Sequence, residues 1–468
     1  MTAPVPAGPS PPATPAKTSS NRRNGELLLL LFAFVIVLAL SVSVQAAQQS
    51  TITAAALYLP AGLGLLFLVA HLAVRWLAPY ADPVILPAVA LLNGIGVIFI
   101  ARLGVSNKAQ YGGQGLRQLL WTGGSMLFFA GVLYFVRDHR ALARFGYTAG
   151  LAGIVLVMLP AILPGRFSQL NNAKLWIIIP GVGQIQPGEF AKLALMVFFA
   201  SYLVAKRDVL SLASKRFVGI DLPRGRDLGP VVAAWLASLL VLVFERDLGT
   251  SLMYFGIFVV MLYIATERTS WLLIGMVLFA GGAFAAWKLV PTVQLRVSIW
   301  LDPFAHATTS GYQLVQSLFG LGTGGLFGTG PGAGQPEQVP FASSDFIIST
   351  IGEEAGLFGL GSLLVLYTII AARGIRVSLD VRDSFGKLLA GGLAFSVGLQ
   401  VFVIVGGVSK LIPLTGLTTP FLSYGGSSLV ANWCLIALLL RISDAGRRPT
   451  AVSMPLQLRH APTEVVRL

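Results

Sequence analysis

Asp345, in the run FASSDFIIST, stands between a long Gly/Pro-rich segment and an apolar stretch. At such a junction a membrane protein can act on a lipid-linked substrate, and a carboxylate there suits general-base work. Its competing role is structural, as an Asp capping the helix that follows. Glu189 and Lys192 form the second candidate group, three positions apart behind Gln186-Pro187-Gly188. Pro187 suits a first helical turn, and a spacing of three puts both charges on one helix face. A charge at the centre of a membrane helix costs roughly 2.5–3.5 kcal/mol, so each needs a reason. The pair reads either as the wall of a polar cavity or as a buried ion pair that fixes helix packing.

Other positions point the same way. Lys174 and Trp176 lie shortly before Glu189, where a tryptophan serves as an interfacial anchor or as a surface for a ligand. Asp247 and Gly249, in ERDLGTS, separate two apolar stretches that almost touch, which a tight turn would also explain. The segment from about 291 to 345 reads as the one large non-helical piece of the chain and carries Asp302, Gly311-Tyr312-Gln313 and Gln316. Irregular backbone at membrane depth must be buried in protein or line a watery cavity. Glu353 and Glu354 beyond it either line that cavity or cap a helix. The string GLGTGG at 320–325 has glycine spacing only, with no strand before it, so it does not read as a dinucleotide site. Neither a P-loop lysine nor an HExxH pattern is present, and the single Cys434 excludes an intramolecular disulfide framework.

The elements that must position these residues are membrane helices. The chain of 468 residues is 55% hydrophobic and 11% charged, with mean hydropathy +0.78, far from a soluble domain. An all-α polytopic membrane protein follows, with about twelve spans of the length needed to cross the hydrocarbon. They are expected near 26–47, 53–75, 83–101, 118–136, 145–164, 187–205, 229–244, 248–265, 271–290, 346–372, 387–409 and 424–441. The chain divides into a disordered tail (1–25), an N-terminal pair of spans (26–81), a core (82–443) and a C-terminal tail (444–468). The net charge of +14 does not imply nucleic acid, because the Lys and Arg residues fall in alternate connections. By the positive-inside rule those connections and both termini are cytoplasmic, and the longest, about 206–228, is an orientation signal with affinity for anionic lipid headgroups. Segments 102–117, 165–186, 291–345 and 410–423 then face outward with the candidate site.

In this order the motifs resemble the SEDS family of membrane proteins, the group of RodA, FtsW and SpoVE, and most closely its RodA branch of actinobacterial type. The matching pieces are QPGEFAK (186–192), RDLGTS (246–251), LDPF and GYQLVQS (301–304, 311–317), SSDFI (343–347), GEEAGLFG (352–359) and PLTGLTTPFLSYGGSS (413–428). The last contains Ser423 and Tyr424. Departures from the family pattern are Ser344 where threonine is usual, Ser343 for histidine, Gly188 for serine and Leu175 for a basic residue. The pair of spans at 26–81 exceeds the family's ten-helix core.

The resemblance implies a peptidoglycan glycosyltransferase that polymerises lipid II into β-1,4-linked strands outside the cytoplasmic membrane, in cell-shape elongation. It implies Asp345 as the essential acid, Glu189 and Lys192 as the cavity pair, Trp176 as the outer-loop tryptophan, a divalent cation (Mg²⁺ or Mn²⁺), and a class B penicillin-binding protein as partner. In the expected mechanism Asp345 takes the proton of the acceptor's 4-hydroxyl, while Lys192, with Arg246 or Arg296 as weaker candidates, offsets charge on the leaving pyrophosphate. A division glycosyltransferase of the FtsW kind and a lipid II flippase are the competing functions.

Overall fold

The computed structural model describes residues 19–49, 55–170, 173–179, 183–210, 213–217, 220–223, 229, 232–237 and 247–449. Among them, 11 helices are long and apolar enough to cross a membrane. Before the long connecting segment come α1 (Ser19–Gln49), α2 (Ala55–Leu77), α3 (Ile85–Ser106), α4 (Gln114–Phe135), α5 (Gly146–Ile162), α6 (Pro187–Leu210), α7 (Leu248–Thr266) and α8 (Thr269–Leu289). The connecting segment holds α9 (Pro291–Leu301) and α10 (Tyr312–Gly324), and α11 (Ile347–Asp380), α12 (Ser384–Val408) and α13 (Gly426–Arg447) complete the bundle. The span expected near 229–244 falls largely outside the described residues.

Helices that are apolar all round must be sorted by packing rather than by amphipathicity. α13 is the axis of the bundle, buried over 94% of its membrane-length window. Its Trp433 is wedged edge-on between Phe129 of α4 and Phe421, at ring separations of 5.5 and 5.6 Å. At the periphery α1 buries Leu30, Ala33, Val37, Ser41 and Val44, a 3–4 spacing that makes one stripe, and turns Leu28, Leu31, Phe32 and Val35 outward. That stripe packs on α2 and α3, and α2 packs on α4, so the N-terminal pair covers one flank of the bundle.

Most charged side chains gather at the end of the bundle away from Asp345. Buried Asp82 receives Arg447 at 2.8 Å, and Asp444 receives Arg448 at 2.8 Å and the Tyr80 amide at 2.8 Å. Glu26 of α1 pairs with Arg23 at 2.5 Å and with His71 of α2 at 2.7 Å. The described parts of the 165–186 and 206–228 connections pair as short antiparallel strands: β1 (Gln169–Leu170) with β2 (Ala173–Lys174), β3 (Ile177–Ile179) with β4 (Gly183–Ile185), and β5 (Ala213–Phe217) with β6 (Ile220–Pro223).

The segment at 291–345 is not the irregular loop its Gly/Pro content predicts. It contains α9 and α10, with short 3-10 turns at Phe304–His306 and Pro336–Gln338. Pro291 sits in the first turn of α9, where its missing donor costs nothing. The glycines act instead by letting the chain after α10 enter a break in α11. That helix has 34 residues, about 51 Å of rise against about 30 Å of hydrocarbon. It breaks at Gly356 (φ 65°, ψ −169°), which leaves roughly 36 Å for residues 357–380. The amides of Thr329 and Gly330 donate to the Glu353 and Glu354 carbonyls before the break, at 3.0 Å each. Beyond it, the amides of Leu357 and Phe358 donate to Gly325 and Leu326. Backbone groups freed by the break are thus satisfied by one crossing strand of chain.

Candidate active site

Pro187 opens α6, and its first turns place Glu189 and Lys192 side by side, 8% and 5% exposed. The Lys192 ammonium donates to Glu189 Oε2 at 3.1 Å and to Gln400 Oε1 of α12 at 2.9 Å. Gln400 in turn donates from Nε2 to the Thr418 carbonyl at 2.8 Å. Each buried charge therefore has a charged or polar partner, the condition under which burial is tolerated. A cavity of about 20 Å³ opens beside the pair, lined also by Gly188, Thr250, Tyr254 and Leu417. It has room for about one water molecule.

The second half of the site is built on Asp345. Its side chain is surrounded by protein on most sides yet keeps one edge open to solvent. Burial pushes its pKa up to about 7, opposed by the Arg296 guanidinium and reinforced by the nearby charge of Asp247. Asp247 caps α7: Oδ1 accepts from the Thr250 amide at 3.0 Å and Oδ2 from the Thr250 hydroxyl at 2.6 Å. Burial raises its pKa as well, against the Thr250 bonds and Arg296. Gly416, at φ 76°, is the point where these groups converge. A Cβ there would stand 3.8 Å from both Arg296 Nη2 and Asp345 Oδ2. Both are ordinary contact distances, so it is the left-handed backbone at 416 that favours glycine.

One loop, residues 409–425 between α12 and α13, joins the two halves. Arg296 Nη1 donates to the Leu414 and Thr415 carbonyls at 3.1 and 2.9 Å, and one turn on, Trp300 Nε1 donates to Lys410. Leu417 lines the Lys192 cavity, and Thr418 receives Gln400. Ser423 Oγ donates to the Ser344 carbonyl at 2.6 Å, and the Tyr424 amide donates to that of Ser343 at 2.7 Å. The turn carrying Asp345 is thereby fastened to the loop that also steadies Arg296 and Gln400.

Several expected site residues lie elsewhere. Asp345 is not a helix cap: the N-cap position of α11 is Phe346, which makes no side-chain capping bond. Asp302 is exposed and accepts from the Ala305 amide, so it shapes a local turn. Lys174 belongs to β2, and Trp176 is half-buried in the link to β3; neither lines the Lys192 cavity. Gln316 and Glu353 line a different and larger cavity. Arg246 lies outside the described residues. Sequence reasoning missed Gln400 and Thr418, and also Arg102, whose guanidinium bonds Glu354 at 2.5 Å and Glu337 at 2.9 Å.

A family profile described as cell cycle protein, FtsW/RodA/SpoVE, matches residues 83–448. The chain belongs to that family. It is 51% identical over 435 residues to the peptidoglycan glycosyltransferase RodA of Mycobacterium tuberculosis, covering 92% of each chain. It is 34% identical to the stage V sporulation protein E of Bacillus subtilis, over 63% of this chain and 76% of that one. Among solved structures it is similar to a chain of a peptidoglycan synthase complex described for its coordination of polymerization and crosslinking (TM-score 0.62, 27% identity, 78% of this chain and 97% of that one). The fold is also that of the Thermus thermophilus rod shape determining protein RodA (TM-score 0.56, 23% identity, 80% of this chain and 100% of that one). The FtsW/RodA/SpoVE match begins near the start of α3 and leaves α1 and α2 outside it. The mycobacterial alignment is longer and reaches into those two helices.

Proposed function

We propose that this member of the FtsW/RodA/SpoVE family is a peptidoglycan glycosyltransferase of the RodA kind, polymerising lipid II at the outer face of the cytoplasmic membrane with Asp345 as general base. The observation that carries the reading is the placement of Asp345: accessible on one edge, beside Arg296, with a pKa near 7. A base of that strength accepts a proton at neutral pH and contributes about 10²–10⁴-fold. Asp345 takes the proton of the acceptor's 4-hydroxyl, the oxygen bonds to the donor's anomeric carbon with inversion, and the bond to undecaprenyl pyrophosphate breaks. Arg296 and Lys192 are the cations for the departing negative charge, and Glu189 with Gln400 aims Lys192.

A divalent cation belongs to the proposal as an ion arriving with the substrate. Among the described residues no three His, Cys, Asp or Glu side chains form a cage, and Mg²⁺ commonly takes one or two carboxylates with substrate phosphates. Asp247 already accepts from the Thr250 amide and hydroxyl and from the Gly249 amide, and its remaining acceptor capacity would hold such an ion. When bound, it would offset pyrophosphate charge. The concentration of arginines at the opposite end of the bundle supports placing that end and both termini in the cytoplasm. A class B penicillin-binding protein that cross-links the emerging strand is the partner proposed, in keeping with the complex to which the chain is similar.

The test is polymerisation of lipid II by the chain purified with that partner, in Mg²⁺ or Mn²⁺, for the parent and for Asp345→Asn. Polymer from the parent and none from a folded variant is expected. Equal polymer from both would remove Asp345 from the chemistry.

A further inference from the structure

A cavity larger than the one beside Lys192 lies apart from it. It measures about 260 Å³ and lies between α10, the chain at 329–339 and the first arm of α11. Its polar lining is made of amides and hydroxyls, from Gln316, Thr323, Thr329, Gln335 and Gln338, with Phe319 as its one aromatic wall. Glu353, 6% exposed, contributes a carboxylate whose Oε1 accepts from the Gln335 amide at 2.7 Å. No lysine or arginine lines it. The Arg102 guanidinium, which reaches the carbonyl of the lining residue Gly334, is also committed to Glu354 and Glu337.

Those side chains select a class of ligand. Amides and hydroxyls both donate and accept, which suits neighbouring ligand hydroxyls. An aromatic wall offers an apolar face to a ring. The lack of a cation disfavours phosphate or carboxylate, which would meet Glu353 without compensation. The volume is just under the roughly 300 Å³ at which small-molecule sites begin, so it takes one ring-sized unit. Glu353 is six positions past the start of α11, roughly 9 Å along the helix from the end next to Asp345. A ligand chain occupying the cavity can therefore extend toward Asp345.

We propose that this cavity is a binding subsite for an uncharged N-acetylhexosamine unit of the glycan strand, separate from the reacting centre. The identity of the strand rests on the function proposed above. Occupation there would hold the polymer between additions, so that loss of the subsite shortens the product.

The probe is chitotetraose, an uncharged N-acetylglucosamine tetramer, titrated into the full chain in detergent and followed by saturation-transfer NMR and calorimetry. Binding is expected for the parent and for Asp345→Asn. Thr323→Trp, which fills the cavity from an exposed helix position, should abolish it, and the milder Gln338→Ala should weaken it by about tenfold. Thermal unfolding verifies that both variants are folded. No binding by the parent, or equal binding by Thr323→Trp, would overturn the subsite. Lipid II polymerisation is scored separately: a parent that polymerises without binding chitotetraose sinks the subsite alone, whereas one that binds without polymerising sinks the enzymatic reading. Strands made by Thr323→Trp should be shorter than the parent's.

Discussion

Ser423 donates its hydroxyl to the carbonyl of Ser344 at 2.6 Å, across 79 positions of sequence. The residue before Asp345 is thus held by a loop that also accepts Arg296 and Gln400. The acid is aimed by its neighbours' main chain together with the Ser344 side chain, and its partly exposed carboxylate keeps an edge open for a proton.

Removing this tether should therefore lower turnover without removing the base. For Ser423→Ala we expect kcat to fall by about tenfold with little change in KM, because a small misplacement of a reacting group is costly while the binding surfaces remain. Steady-state polymerisation with the two constants resolved checks this. A fall in KM-dependent rate alone would assign Ser423 to binding.

Acid strength gives a second expectation. With Asp345 at about pH 7, the active ionised form is lost as pH falls, so kcat/KM should drop about tenfold per unit below 7. Arg296 favours the ionised carboxylate, and removing it raises the pKa. Arg296→Gln should consequently move the acidic limb to higher pH, besides weakening the loop tether. A pH–rate profile of the variant with an unmoved or lower limb would contradict the electrostatic role.

What the sequence made legible was what local spacing can carry. Glu189 and Lys192 are one helical turn apart, so their pairing follows from helix periodicity. The aspartate was legible as chemistry because a charge beside an apolar span demands a reason. Gln400 was not: one neutral amide within an apolar stretch has no partner visible in the sequence, and its partners are 208 positions before it and 18 after. Arg102 was hidden for the same reason, since Glu337 lies 235 positions on. Composition misled at 291–345, where glycines that read as loop instead admit close backbone packing. Asp302 and Gln316 share that segment with Asp345, but α9 and α10 carry them to other surfaces.

The α6 pair should behave as a unit. Lys192→Met leaves the Glu189 carboxylate buried without its cation, and breaking a buried pair costs about 3–5 kcal/mol. Adding Glu189→Gln to it should recover much of that stability while activity stays low, because the cation is still missing. A double-mutant cycle by thermal unfolding measures the coupling. Additive losses would show that the two charges are independent.

The break in α11 offers a purely structural prediction. Gly328 has φ 81°, and a Cβ there would stand 2.1 Å from the Glu354 carbonyl oxygen. That carbonyl is backbone on the arm of α11 nearest Asp345, so no side-chain rotation relieves the contact. Left-handed backbone alone costs an alanine roughly 1–2 kcal/mol, and the clash adds a displacement of the crossing chain. Gly328→Ala should thus lower thermal stability by more than about 2 kcal/mol and reduce polymerisation, since the Thr329 and Gly330 amides would leave the Glu353 and Glu354 carbonyls. Thr323→Ala, at an exposed position of α10, serves as the control for stability and should unfold with the parent. If Gly328→Ala melts with it too, the glycine is not what admits the chain to the break.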